Sequence, residues 1–297
     1  MAAWRRRAAA IGLVATLAGA GPSMLVACSG SAAGQIDYVV DGALVTYNAN
    51  TVTGAASAGA QAFARTLTGF GYHGPDGQVV ADHDFGTISV VGGAPLVLDY
   101  QIADNAVYSD GKPITCDDLV LAWAARSGRF PGFDAASQAG YVDIAAVDCQ
   151  PGQKKARVSF APDRTVVAYD QLFTATEMMP SHAIGDQLQV STTAALLGNN
   201  RPVIERVAQL WNTTWDLKPD INTEHFPSSG PYKIESVVDG GGVVLVANDR
   251  WWGPKAMTKR ITVWPQKADI QDRVNDKSAD VVDVAAGSSG SVATPDT

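Results

Sequence analysis

Three consecutive arginines, Arg5-Arg6-Arg7, lead into an apolar run of small and branched residues from Ala8 to Ala20. A basic start, a short apolar stretch and small residues beyond it form the pattern of a secretory signal. The run is too short for a bilayer, which needs about 20 apolar residues. The pattern predicts a signal peptide over residues 1–27, so the fold must be assembled from the remaining chain after export. Exported compartments permit disulfides, and that constraint governs the reading of the cysteines.

The signal ends in Leu25-Val26-Ala27-Cys28. This tetrad resembles the bacterial lipobox, in which a peptidase cuts before a cysteine that carries diacylglycerol. Ala27 is small enough for the peptidase pocket, and Cys28 is the expected lipidation site. The other reading is an ordinary secreted protein whose cysteine follows the cut. Residues 28–34, Cys-Ser-Gly-Ser-Ala-Ala-Gly, are expected to act as a flexible lipidated tether. The expected location is the extracytoplasmic face of the cell membrane, with membrane contact through the lipid anchor only.

The full chain carries 22 basic and 30 acidic side chains. Removing the three signal arginines leaves 19 against 30, a net charge of −11. Nucleic-acid binding needs a basic surface, so that class is excluded. Two cysteines remain, Cys116 and Cys149. A bond between them would close a loop that the chain-entropy account values at about 3–4 kcal/mol. Two unpaired, buried thiols are the alternative. The sequence has no CxxC and no HExxH, and His73, His83, His182 and His225 are scattered, so neither a metal nor any other cofactor is expected.

Periodicity predicts a first strand at Ile36–Val40, a helix over Ala60–Leu67, and strands at Phe85–Val91 and Leu96–Ile102 joined tightly through Gly92-Gly93. Tyr108-Ser109-Asp110-Gly111-Lys112-Pro113 reads as a turn. Thr115 and Asp118 after it fit a capping box, and Leu119, Val120, Ala122 and Trp123 follow at helical spacing. A hairpin is expected around Pro151-Gly152-Gln153, an apolar element over Gln171–Met179, and helices at Thr192–Leu197 and Val203–Trp211. A second hairpin is expected across Gly240-Gly241-Gly242, with a further strand at Ile261–Trp264. Strands and helices mix without strict alternation, which points to α+β with mixed sheets.

Three stretches, in order, resemble family 5 extracytoplasmic solute-binding proteins, the peptide receptors of ABC importers. The first is Tyr108-Ser109-Asp110-Gly111-Lys112-Pro113-Ile114-Thr115-Cys116-Asp117-Asp118, with Tyr108 and Cys116 where the family usually has Trp and Ala. The second is Met179-Pro180-Ser181-His182. The third joins Ser228-Ser229-Gly230-Pro231-Tyr232-Lys233-Ile234 to Asn248-Asp249-Arg250-Trp251-Trp252-Gly253. Asp280-Val281-Val282-Asp283-Val284 resembles the stretch that follows, and the Ala- and Asp-rich, Lys-poor form resembles actinobacterial members.

The resemblance implies lobe I of a two-lobed, periplasmic-binding-protein-like fold of the type II class, with the second lobe missing. It implies a main subdomain from residues 35–66 and 200–284, an insert over 67–199, and a truncated tail at 285–297. The chain would then be a fragment or a truncated product. The implied function is delivery of peptides or similar small solutes to ABC permease subunits. The acid that pairs with a peptide amine in the family has no counterpart here. Tyr47 and Asn48 follow the first strand, a segment that touches ligand backbone in many members, and are the candidate ligand-binding residues. Tyr47 also reads as a core or rim aromatic. Trp211, Trp215, Trp251 and Trp252 invite a stacking role, with core packing favoured for the last two.

An enzyme finds no positive support: there is no GxSxG, and no glycine-rich loop ends in Gly-Lys-Ser/Thr. The remaining alternative is a non-transport cell-envelope lipoprotein that uses the same fold to bind a protein or glycolipid partner. Val45-Thr46-Tyr47-Asn48, standing where the family usually has Leu-Asp-Pro, keeps that reading open. The anchoring expectation has a direct check. Mass spectrometry of the mature amino terminus should find Cys28 first in the chain and lipid-modified; an unmodified Cys28 or another cleavage point refutes it.

Overall fold

The computed structural model describes residues 34–74, 76–164, 168–267 and 270–283. The signal peptide, Cys28, the tether up to residue 33 and the tail at 285–297 lie outside the described residues. No helix among the described residues is long and apolar enough to cross a membrane.

In chain order the elements are β1 (Gln35–Val40), α1 (Val52–Ala55), α2 (Gly59–Ala62), β2 (Gly71–His73), β3 (Val79–Ala81), β4 (Gly86–Gly93) and β5 (Leu96–Ile102). Then follow α3 (Cys116–Arg126), β6 (Ile144–Cys149), β7 (Lys155–Phe160), α4 (Ser181–Leu188), α5 (Thr192–Leu197) and α6 (Arg201–Thr213). The last are β8 (Tyr232–Val238), β9 (Gly242–Ala247), β10 (Arg260–Pro265), α7 (Ile270–Asn275) and β11 (Val281–Val282).

The two ends of the chain build one sheet and its middle builds another. The first has the order β11-β1-β10-β9-β8 and the second β4-β5-β7-β6, while β2 and β3 pair alone. β1 runs parallel to both β10 and β11, whereas β10-β9 and β9-β8 are antiparallel. The middle sheet is antiparallel throughout. The fold is therefore α+β with mixed sheets. Alternation explains which face is inside: Leu96, Leu98, Tyr100 and Ile102 on β5 are buried, as are Ala156, Val158 and Phe160 on β7. That face packs against α3, nearly all of which is buried. A run of edge-to-face rings, Phe85–Phe70–Tyr100–Phe173–Tyr141, extends this core with centroids 4.9–5.2 Å apart.

Both predicted hairpins form. Cys149 pairs with Ala156 across the first, and Val238 with Gly242 across the second. Three local readings are corrected. The β4–β5 connection is Ala94-Pro95, and Gly92-Gly93 belong to β4. Helix α2 stops at Ala62, beyond which the chain turns through Thr66 N donating to Phe63 O at 2.9 Å, and the carbonyls of Arg65 and Thr66 accept from the Ser229, Gly230 and Tyr232 amides at 2.9–3.2 Å. The Gln171–Met179 stretch is irregular. Its backbone bonds go outward, with Phe70 N donating to Phe173 O at 2.9 Å and Ala175 N to Gly71 O at 2.7 Å. Phe173 and Thr176 adopt φ of 55° and 71° to allow this. Helix α4 and the β2–β3 pair carry short patterns that periodicity misses.

Gly230 sits where a Cβ would fall well inside van der Waals contact of the Arg65 carbonyl. Gly230→Ala is expected to lower unfolding stability by about 1–3 kcal/mol through overpacking against rigid backbone. Urea unfolding followed by circular dichroism checks this; an unchanged midpoint would refute the contact.

Candidate functional site

The Tyr108–Pro113 turn closes through Tyr108 N donating to Lys112 O at 2.8 Å, and Lys112 N to Asp110 Oδ1 at 3.0 Å. α3 then starts as the capping-box spacing requires, with Asp118 Oδ2 accepting from Thr115 N at 3.2 Å. The other oxygen of Asp118 accepts from Ser181 N at 2.8 Å and Ser181 Oγ at 2.7 Å. Thus the first motif is bonded to the second. Next to Ser181, His182 Nε2 lies 3.0 Å from Asp110 Oδ2, its ring 4.9 Å from that of Tyr108, and Lys112 pairs with Asp186.

Asp118 is 1% exposed. Burial pushes its carboxyl above the ordinary range, against the pull of His182 and the Ser181 and Thr115 bonds. Burial, then the neighbouring Asp118, raises the Tyr108 phenol. Asp110 goes the other way. Burial raises it, but the hydrogen bonds from His182 and the Lys112 amide outweigh burial and leave it lowered. Ser181, His182 and two aspartates thus sit together, yet Ser181 Oγ donates to Asp118 while His182 pairs with Asp110. The hydroxyl and the imidazole serve two separate carboxylates, an arrangement that locks a turn onto a helix.

The third motif joins the same seam. Ser109 N donates to Ser228 O at 2.7 Å, and Ser228 N to Ser109 Oγ at 3.0 Å. Ser229 Oγ accepts from Thr68 N at 2.9 Å, and Asn248 Nδ2 donates to Gly230 O at 2.9 Å. Tyr47 enters here too, its hydroxyl 3.2 Å from Ser228 Oγ and its ring 5.0 Å from Phe63 and 5.8 Å from Phe226. Burial pushes the Tyr47 phenol up to about 12.

Tyr47 and Asn48 are 1% and 0% exposed. Asn48 Nδ2 donates to Trp211 O at 3.0 Å, and its Oδ1 accepts from Asn50 N at 3.1 Å and from Asn50 Nδ2 at 3.0 Å. Tyr47 N donates to Trp215 O at 2.8 Å. Both side chains are thus engaged inside the lobe, where they brace the segment after β1. Trp211 and Trp215 are equally buried, so their faces are core surface. Trp251 and Trp252 cap the outer loop, donating to Pro254 O and Asp84 O at 3.0 Å each.

Cys116 and Cys149 are disulfide-bonded, with Cα atoms 5.7 Å apart. Cys116, Asp117 and Cys149 are metal ligands by type, and their donor atoms lie within 4.8 Å. Both sulfurs are committed to each other, and Asp117 Oδ2 accepts from Thr115 Oγ1 and Gly152 N at 2.7 and 2.6 Å. The group is structural as it stands.

β1 lies between two parallel partners, β10 and β11, an order for which a ligand crevice outside the carboxyl ends of the strands is expected. Val40, Pro265 and Val282 end the three strands there. Asp283 N donates to Val39 O at 2.8 Å, Gln266 N donates to Gly42 O at 3.0 Å, and Tyr38 OH reaches Asp283 at 3.4 Å. Sequence reasoning placed the ligand segment after β1, but the parallel partners on either side of β1 are revealed only by pairing order.

These features belong to a mixed-sheet α+β lobe. Residues 94–296 match the bacterial extracellular solute-binding proteins, family 5 (middle region), and the chain belongs to that family. An uncharacterized lipoprotein of Mycobacterium bovis is 74% identical over 294 residues, covering 98% of this chain and 53% of that protein. The oligopeptide-binding protein OppA of the same species is 29% identical over 192 residues, 64% of this chain and 28% of OppA. Among solved structures, the periplasmic EDTA-binding protein EppA superposes with a TM-score of 0.68 at 20% identity, over 84% of this chain and 43% of that one. The chain thus spans about half the length of the curated relative of highest identity named here.

Asp118 generates a pH prediction. Its folded pKa is raised, so its protonated form favours folding below the unfolded value of about 4. That contribution is lost as pH rises through the folded pKa. Asp118→Asn cannot titrate, so its stability should fall less between about pH 4 and pH 7 than the wild type's. Urea midpoints across that range check the difference; parallel curves would refute it.

Proposed function

We propose that this chain is the first lobe of an extracytoplasmic receptor that binds peptides or similar small solutes and hands them to ABC permease subunits. It is tethered to the membrane through lipid on Cys28. The observation that carries the reading is the parallel placement of β10 and β11 on either side of β1, whose carboxyl ends would form one wall of a ligand crevice, in a chain of the solute-binding family. On this reading residues 35–66 and 200–284 form the main subdomain and 67–199 the insert. α6 crosses that division by packing on α4 and α5. Tyr47 and Asn48 act by holding the segment after β1 in place for the ligand. The printed name of the OppA relative supports peptides as the solute class.

A second lobe would close over the crevice and remove ligand from water, which is where affinity arises in such receptors. This lobe alone is expected to bind weakly. Its expected lack of the carboxylate that meets a peptide amine removes a charge-assisted contact worth about 1.5–3 kcal/mol, or one to two powers of ten in affinity. Calorimetric titration of a mixed peptide library into this chain, and into the protein extended by the second lobe, tests it. Tight binding by the long form alone is expected. Equal, tight binding by both would place the pocket within this lobe. Binding of a cell-envelope glycolipid, with no peptide bound by the long form, would favour the non-transport reading.

A further inference from the structure

The Cys116–Cys149 bond is unequally shielded. Cys116 is fully buried at the first position of α3, its amide donating to Gln153 O at 2.8 Å. Cys149 is only half-buried, at the end of β6, which is the outer strand of its sheet. A cleft of about 720 Å³ opens beside it. Trp123 and Leu197 give it apolar lining, and Asp148, Gln150, Lys155 and Arg157 polar lining, with Cys149 in the wall and Cys116 outside the lining. Cys149 lines the cleft, whereas Cys116 lies behind helix and hairpin backbone.

We propose that this cleft is a thiol-exchange site, at which a low-molecular-weight thiol attacks Cys149 and leaves Cys116 untouched. The incoming thiolate sulfur bonds to Cys149 Sγ along the cleft. The Cys149–Cys116 bond breaks, and its electron pair leaves on Cys116 Sγ, which then takes up a proton from solvent. The product is a mixed disulfide on Cys149 and a buried thiol on Cys116, with Gln150 O already 3.2 Å from that sulfur to accept its hydrogen. The amides of the first turn of α3 favour a departing Cys116 thiolate, while Asp117 and Asp118 in the same turn oppose it. Access, rather than leaving-group stability, therefore decides the direction of exchange. The reverse attack by Cys116 on the mixed disulfide restores the bond and releases the thiol, so the modification is reversible. Loss of the bond leaves the start of α3, the helix whose Asp118 holds Ser181, tied to the hairpin after β6 through hydrogen bonds such as Cys116 N to Gln153 O and Gly152 N to Asp117 Oδ2.

The folded full chain incubated with reduced glutathione, quenched in acid and digested, gives the test by mass spectrometry. The adduct should lie on Cys149 in excess over Cys116 by about tenfold or more, since a buried sulfur reacts only after local opening. An adduct on Cys116, or equal adducts on both, overturns the proposal. A folded chain that takes no adduct while the urea-unfolded chain does also overturns it. Two single variants add a control. Maleimide should label Cys116→Ser, which leaves Cys149 free, under native conditions, and label Cys149→Ser only in urea. Circular dichroism establishes that each is folded, and the wild-type adduct decides the matter even where neither is.

Discussion

The seam at Ser228-Ser229-Gly230 holds the described lobe together. These residues run between the Arg65–Thr68 turn on one side and Ser109 on the other. They donate to Thr66 O and Ser109 Oγ and accept from Ser109 N and Thr68 N. Every one of these atoms is buried or nearly so, and an unpaired amide there would cost about 1–3 kcal/mol. The seam therefore tolerates few alternatives. It is also where the first sheet meets the β2–β3 pair, because Gly71 starts β2 just beyond the Thr68 turn and Tyr232 starts β8 just beyond Gly230. A glycine is demanded at position 230 by the approach of the Arg65 carbonyl rather than by any special φ.

Around that seam charge is handled by pairing. Arg126 is 9% exposed, pairs with Glu177 and lies 4.3 Å over the Tyr141 ring. Glu177 also accepts from Tyr141 OH and Thr174 N at 3.0 Å each. Tyr141 OH in turn accepts from Phe173 N at 2.9 Å. The irregular 172–177 stretch is thus fixed by a buried network whose removal by halves would leave a charge unpaired. Asp118 does the same for Ser181 and Thr115. On the outer face of the middle sheet, Asp99 meets Arg157 and Lys155 in exposed pairs, which contribute little.

Much of this was legible in the sequence. The turn-and-cap run from Tyr108 to Asp118, both hairpins and the α5–α6 pair follow from local grammar: Asp-Gly, Thr-x-x-Asp, paired glycines, helical spacing. The cysteine pairing was legible only as one of two readings, since bridging distance is a property of the fold. Residues 60–67 and 171–179 misled for a shared reason. Each is apolar enough for a regular element, yet its backbone carbonyls or amides are claimed by distant segments, Ser229 to Tyr232 in one case and Phe70 to Gly71 in the other. Tertiary hydrogen bonds overrode local preference there. The parallel pairing of β1 with β10 and β11 spans more than 200 residues, and no local pattern records it.

That pairing carries the functional argument. Tyr47, Asn48, Trp211 and Trp215 are occupied within the lobe, so on the proposed reading a ligand at the strand ends would meet backbone braced from behind, not mobile side chains. A wall of that kind changes little when a partner surface closes on it, and the adjustment then falls on the connection between lobes. Such a wall suits recognition through main-chain groups, which most peptides present alike. Selectivity among solutes would then reside in the facing surface, and this lobe would set where the solute lies rather than which one is chosen.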